Sequence, residues 1–173
     1  MPGTAVAALL LVGGCTPGAD ATEAADAGAV AERSELATGP AGRTAVAIDN
    51  AFGGCREATA KFAEAAAAMR QNHSPADAVV RAGIAVETCR DSQPAIQRVI
   101  LPDDLSGVGL TTAQTAKTSC IRAGEQMQTF AAAFLAAVAN PAPHTVRDNE
   151  DAVRAVSISL PLCDSAISAL RDG

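Results

Sequence analysis

Apolar residues recur every three to four positions along most of the chain beyond residue 43, and this spacing predicts helices. Alternating steps of four and three place all members of such a stripe on one face of a helix. We predict helices over residues 44–71, from residue 75 up to Pro94, over residues 111–139, and from residue 146 to beyond Leu170. A short additional helix over residues 95–101 is expected between Pro94 and Pro102.

Each long helix carries one apolar stripe. The stripe of the first helix is Ile48, Phe52, Cys55, Thr59, Phe62, Ala66 and Met69. That of the second is Val79, Ala82, Val86 and Cys89, with Val80 and Ile84 in support. The third is Cys120, Gly124, Met127, Ala131, Phe134 and Val138, and the fourth is Val153, Val156, Leu160, Cys163, Ile167 and Leu170. Four such helices predict an all-α fold, an antiparallel four-helix bundle.

Polar residues and prolines mark the expected helix ends. Ser74 is the expected N-cap of the second helix, with Pro75 at its first position. Thr111 with Gln114 forms the pattern of a capping box for the third helix, and Thr145 with Asp148 is the matching pair for the fourth.

Two interruptions fall inside the stripes. Gly53 and Gly54 weaken the first helix, which is expected to start cleanly at Cys55 or to bend there. Pro161 is expected to kink the fourth helix because it lacks the N–H that would bond to the Ser157 carbonyl.

The composition of the chain excludes some classes of function. Trp and Tyr are absent and aromatic residues make up 2% of the chain, so the usual platforms for stacking nucleobases or sugar rings are missing. The net charge of −6 would repel a phosphate backbone. We therefore expect no nucleic-acid partner.

The N-terminus has the pattern of an export signal. Residues 5–12 form an apolar run too short to span a bilayer as a mature helix, and small residues follow it. The stretch Leu11-Val12-Gly13-Gly14-Cys15 resembles the lipobox of bacterial lipoproteins. The resemblance covers the first fifteen residues and implies that Cys15 receives a diacylglycerol and becomes the new N-terminus. Residues 1–4 lack the Lys or Arg that normally opens a signal, which a translation start upstream of Met1 would explain.

The chain therefore divides into three expected parts. Residues 1–14 are a lipoprotein signal peptide, residues 15–43 are the lipidated Cys15 and a flexible tether, and residues 44–173 are the bundle domain. The expected location is extracytoplasmic, with the chain anchored to the cell membrane through Cys15.

The four remaining cysteines predict two disulfides. Cys55, Cys89, Cys120 and Cys163 are an even, widely spaced set in an exported chain. The helical rise of ~1.5 Å per residue places each hairpin's two cysteines nearly level, which favours Cys55–Cys89 and Cys120–Cys163. Because all four gather at one end of the bundle, Cys55–Cys163 with Cys89–Cys120 is the alternative pairing.

The candidates for metal or cofactor chemistry are few. His73 and His144 precede helix starts at the same end of the bundle, near Asp77 and the acidic run 148–151, but solvated turn residues explain this pattern better than a metal site. Met69 and Met127 lie on the apolar stripes and are expected in the core rather than on copper or haem. Lys117 is expected to extend its charge out of the bundle. No cofactor is expected.

No catalytic motif is present in the sequence. It contains no nucleophile elbow, phosphate loop or paired-carboxylate pattern. The leading hypothesis is a non-enzymatic, membrane-tethered module that binds another envelope protein or a peptidic ligand through a helix face or the loop between the second and third helices. One alternative is a carrier or sensor of a lipid or haem that opens at Pro161, and another is an enzyme of unrecognised type.

Overall fold

The computed structural model describes residues 39–72 and 74–172, with the backbone alone for residues 70–72. These residues form four long helices. The helices are α1 (Pro40–Asn72), α2 (Ala76–Gln97), α3 (Gly107–Ala139) and α4 (Pro143–Asp172). The prediction of an all-α four-helix bundle is confirmed.

The helices run up and down in chain order. Sequential helices pack side by side, and α1 also packs against α3 and α4. Far fewer contacts join α2 to α4, which therefore lie at opposite corners. One end of the bundle, called here the proximal end, contains the start of α1, the connection between α2 and α3, and the end of α4. The opposite, distal end contains the two tight turns.

The core consists of two clusters of buried side chains. The proximal cluster takes residues from all four helices and from the connection between α2 and α3, namely Ala45, Ile48, Phe52, Cys55, Cys89, Ile96, Leu105, Ala113, Ala116, Cys120, Ala123, Met127, Cys163, Ile167 and Leu170. The distal cluster is Ala58, Phe62, Ala65, Ala78, Ala82, Ala85, Ala131 and Phe134. Among the described residues, α4 adds nothing to the distal cluster, so that half has a three-helix core.

The two disulfides join the pairs favoured by the sequence. Cys55 bonds to Cys89, with their Cα atoms 4.4 Å apart, and Cys120 bonds to Cys163, with a Cα separation of 4.6 Å. Each disulfide closes one helical hairpin, and both lie in the proximal cluster. At Cys55 the Sγ atom also lies 3.5 Å from the Sδ atom of Met127, which packs in the core as predicted.

The prediction of a separate short helix over residues 95–101 is wrong. Helix α2 instead continues through Pro94 to Gln97, because a proline in the last helical turn removes a single N–H bond while the remaining bonds close normally. The Arg98 N–H donates to the Pro94 carbonyl at 3.1 Å. Helix α1 likewise passes through Gly53 and Gly54 without a break and begins at Pro40, four residues before its predicted start.

The predicted side-chain caps are also wrong. No side-chain hydrogen bond caps α2 at Ser74 or α3 at its start. Helix α3 begins at Gly107, so Thr111 lies inside it and donates to the Gly107 carbonyl. Thr145 lies inside the first turn of α4, where its hydroxyl accepts from the Ala142 N–H at 3.0 Å and so closes the turn before the helix.

The buried face of α2 includes Ala82 and Cys89 as predicted but differs from the predicted stripe at Val80 and Ile84. Val80 is 60% exposed and Ile84 is 48% exposed, whereas the buried positions are Ala78, Ala82, Ala85, Cys89, Ser92 and Ile96. The close approach of α1 and α2 at Cys55–Cys89 explains this choice, because small side chains fit between backbones that larger ones would push apart.

Removal of either disulfide should destabilise the bundle strongly. The bonded cysteines are 34 and 43 residues apart. Replacing both members of a pair with alanine should lower the free energy of unfolding by about 4 kcal/mol in the chain-entropy account. Urea denaturation of the full chain measures this loss, and a loss below about 1 kcal/mol would show that the cross-link hardly restricts the unfolded chain.

Candidate functional site

The residues predicted to carry chemistry are not brought together in the described structure. Cys15 and His73 lie outside the described residues. His144 is exposed in the first turn of α4. Within residues 39–72 and 74–172, no group of three or more His, Cys, Asp or Glu side chains is placed to hold a metal ion. The candidate sites in the described structure are therefore exposed apolar surfaces.

The first such surface is an apolar stripe along the outside of α4. Ile158 is 60% exposed and Leu162 is 58% exposed, one helical turn apart. Ala155, Ser165 and Ala169 extend the same spacing of three and four positions, so these five residues share one face, called here the α4 face. Asp164 is the one charged residue between positions 155 and 169.

Helix α4 is apolar well beyond what the core uses. In the described part of the chain it is the one helix long and apolar enough to cross a membrane by length and composition, a test that core helices of soluble proteins also pass. Its Cys163, Ile167 and Leu170 are buried in the bundle. Only 22% of its apolar stretch is buried, however, so much of that apolar surface is on the outside.

Charged side chains fasten α4 to α1 beside this face. Arg56 donates to Asp49 on its own helix at 2.9 Å and to Asp164 on α4 at 2.8 Å. Arg171 of α4 lies 3.6 Å from the second carboxylate oxygen of Asp49. The Arg56 guanidinium also lies over the Phe52 ring, 5.0 Å from its centre. This network links α4 to α1 and pairs the half-exposed carboxylate of Asp164 with Arg56.

The second surface is the connection between α2 and α3. Ile100 is 87% exposed and Val108 is 83% exposed, whereas Leu105 between them is buried in the proximal cluster. Lys117 of α3 donates to the carbonyls of Gln97 and Val99, at 2.9 and 2.7 Å. The positive charge of Lys117 therefore lies at the carboxyl end of α2, where the helix dipole favours a cation. The last turn of α2 contains no basic residue of its own.

Two glycines allow the chain to turn from this connection into α3. Gly107 has a φ of +53°, in the left-handed region that side chains other than glycine rarely adopt. A Cβ atom at Gly109 would lie 3.2 Å from the Cδ1 atom of Leu105. The absence of a side chain at Gly109 therefore leaves room for Leu105 to pack in the core. The connection is held by buried Leu105 and by the hydrogen bonds from Lys117, while Ile100 remains exposed.

A shallow depression on the outside of α3 gives no support to a carrier of apolar ligands. Its volume is about 280 Å³, it is open to solvent, and its lining residues are Thr111, Gln114, Thr115, Thr118 and Ser119. The hydroxyls of Thr111, Thr115 and Thr118 donate to carbonyls one turn earlier in their own helix. A lipid or haem pocket would instead be lined mainly by apolar side chains.

Lys117→Met should loosen the connection between α2 and α3. The variant keeps the apolar stem but leaves two carbonyls without their charged donor, which should cost about 1 kcal/mol at this half-exposed site. Amide hydrogen exchange should accelerate across residues 99–105. Lys61→Met is the matched control, because Lys61 pairs with exposed Glu57 on α1 and holds its carboxyl pKa below the usual value through a hydrogen bond and charge attraction. Unchanged exchange in the Lys117 variant would contradict this role.

Comparison with known proteins gives no indication of the function of the chain. No family model matches the chain, and no curated protein or solved structure matches it either. Any function must therefore be inferred from the α4 face, the α2–α3 connection and the disulfide-bonded bundle that presents them.

Proposed function

We propose that this chain is a membrane-anchored extracytoplasmic lipoprotein whose bundle is a non-enzymatic binding module of the cell envelope. Lipidation of Cys15 provides the anchor, and the α4 face provides the contact with another envelope protein. The observation that carries the proposal is the exposure of Ile158 and Leu162 on a helix that is apolar along most of its length.

The disulfides support the location outside the cytoplasm. Bonds of this kind form and persist in oxidising compartments and are rare where cellular thiols keep cysteines reduced. Both bonds are buried in the core, and together they use all the cysteines other than Cys15. A lipobox cysteine that remains unpaired beside two complete disulfides is the distribution expected of an exported lipoprotein.

The α4 face favours a protein partner over a small molecule. It is a convex stripe rather than a cavity, and it is nearly free of charge because Asp164 is engaged by Arg56. Contiguous apolar surface of this kind commonly marks a protein contact. The exposed pair Val80 and Ile84 on α2 is a weaker candidate, because Asp77, Arg81 and Glu87 surround it with charge.

The spacing on the α4 face specifies the kind of partner. Positions 155, 158, 162, 165 and 169 repeat at intervals of three and four, which is the seam that a second helix needs for side-by-side packing. The small Ala155, Ser165 and Ala169 would let a partner backbone approach between the larger Ile158 and Leu162. The partner segment is therefore an amphipathic helix of another envelope protein.

The anchor should depend on one residue. Cys15→Ser should abolish labelling by a fatty-acid analogue and release the chain from membranes, because the thiol that receives the diacylglycerol is lost. Fractionation of cells expressing the full chain measures both effects. A variant that stays membrane-bound, together with a wild type that takes no label, would refute the lipoprotein assignment.

Cross-linking in intact cells should capture a partner at the α4 face. Benzoylphenylalanine in place of Ile158 or Leu162 should give the same discrete adduct, because the two positions lie one turn apart on one surface. The same amino acid in place of Thr118, which is exposed on α3, serves as the control and should not form it. Mass spectrometry then identifies the captured chain.

A further substitution separates specific binding from chance proximity. Leu162→Asp should remove the adduct formed at position 158. Because position 162 is exposed, the free energy of unfolding should change by less than about 0.5 kcal/mol. Persistence of the adduct in that variant, or equal capture from position 118, would refute the α4 face as the contact. An adduct with twice the mass of the chain would assign the surface to a second copy rather than to another protein.

A further inference from the structure

The proximal end of the bundle bears the most exposed large apolar side chains of the described chain. These are Ile100 and Val108, called here the proximal tip. Helix α1 also begins at this end, at Pro40, and Ala41 in its first turn packs against the same cluster as Val99 and Leu101. The chain segment that leads back to Cys15 therefore joins the domain beside the proximal tip.

We propose that the proximal tip contacts the lipid surface directly, so that the bundle is held on the membrane by a second point besides its lipid. This inference rests on the proposed lipidation of Cys15. Residues 15–39 would form a tether with a typical reach of about 30 Å by flexible-chain scaling. The 33 residues of α3 make the bundle about 50 Å long. A tether attached at the start of α1 keeps the proximal end within about 30 Å of the membrane on average, which gives the proximal tip frequent access to the lipid surface.

The connection is built to present Ile100 and Val108 with little loss of freedom on binding. Leu105 is fixed in the core, and Lys117 holds the carbonyls of Gln97 and Val99 from the other side. The Leu105 N–H also donates to the Pro102 carbonyl at 3.0 Å. Backbone groups that already have hydrogen-bond partners within the protein can approach the acyl region of the membrane at a low cost in free energy, because they lose no hydrogen bonds to water.

The size of the proximal tip favours a membrane over a protein. Two large apolar side chains flanking a buried leucine do not make the surface of about 1,000 Å² or more that a stable protein interface requires. A tethered contact needs far less affinity, because the tether keeps the lipid surface at a high effective concentration. Two side chains inserted at the headgroup boundary are sufficient in that setting.

The charges near the proximal tip indicate an apolar contact rather than an electrostatic one. Asp103 and Asp104 are exposed in the connection, which also contains the exposed Arg98 and is contacted by Lys117. Within the connection the charges of the two signs balance, so it offers no net attraction to anionic headgroups. The contact should therefore form on zwitterionic lipid, and anionic lipid should not strengthen it.

Tryptophan fluorescence tests this arrangement, since the natural chain contains no tryptophan. The lipidated full chain with Ile100→Trp would be reconstituted into phosphatidylcholine vesicles that carry bromine on their acyl chains. On binding to vesicles, the tryptophan emission should shift to shorter wavelength. Its intensity should be lower with brominated vesicles than with vesicles that lack bromine. Val80→Trp is the matched control, because Val80 is 60% exposed at the distal end and its emission should be unaffected. Val108→Trp gives a second reporter and should behave like the substitution at position 100.

The outcomes separate this inference from the proposed function. A lipidated, vesicle-bound chain with unquenched tryptophan at positions 100 and 108 would overturn the lipid contact and leave the anchor intact. Quenching equal to that of the position-80 control would also overturn it, since the bundle would then lie without preferred orientation. A chain without lipid on Cys15 would overturn the proposed function and this inference with it. Quenching confined to vesicles containing phosphatidylglycerol would contradict the apolar mechanism.

Discussion

The spacing between paired helices is the constraint on which the rest of the bundle depends. The Cα atoms of Cys55 and Cys89 are 4.4 Å apart, and those of Cys120 and Cys163 are 4.6 Å apart. Backbones this close favour small side chains at part of the interior, as at Ala82 and Ala85 of α2, while Phe52 one turn from Cys55 fills the wider space beside the bond. The interior is accordingly rich in small side chains, and several large apolar side chains that would normally fill a core remain on the outside. The surfaces available for binding are thus a direct result of how tightly each hairpin is closed.

The asymmetry of α4 follows from the same arrangement. Its carboxyl half is fixed by the Cys120–Cys163 bond, by Ile167 and Leu170 in the core, and by the charges of Asp49, Arg56 and Arg171. Its amino half packs beside α3 and adds nothing to the distal cluster in the described part of the chain. The helix is therefore rigidly placed along the stretch that contains Ile158 and Leu162, where a binding surface benefits from being held in one position.

The sequence was sufficient to predict the fold, the number of long helices and the disulfide pairing, because stripe spacing and helical rise are properties of single helices. It was insufficient for part of the buried face of α2, where Ala78 and Ala85 are buried while Val80 and Ile84 are exposed. That preference depends on the distance to α1, which no local pattern contains. The role of Lys117 was missed for the same reason, since its acceptors lie 20 and 18 residues away, at the last residue of α2 and in the connection that follows it. The start of α3 was misjudged because Thr111 lies inside the helix, where its hydroxyl donates to the Gly107 carbonyl.

The pattern of cross-links also determines how the domain would respond to force. Each disulfide lies within one hairpin, and neither joins the first hairpin to the second. A pull applied between the amino end of α1 and the middle of α4 would therefore pass through the segment from Cys89 to Cys120, which includes the connection between α2 and α3. The 34 and 43 residues enclosed by the two bonds could not be drawn out, although they would otherwise add about 120 and about 150 Å of extended chain. The segments outside the bonded loops, from the start of α1 to Cys55 and from Cys89 to Cys120, would extend first, so the two bonds shorten the total extension of the unfolding chain by the lengths of the two loops.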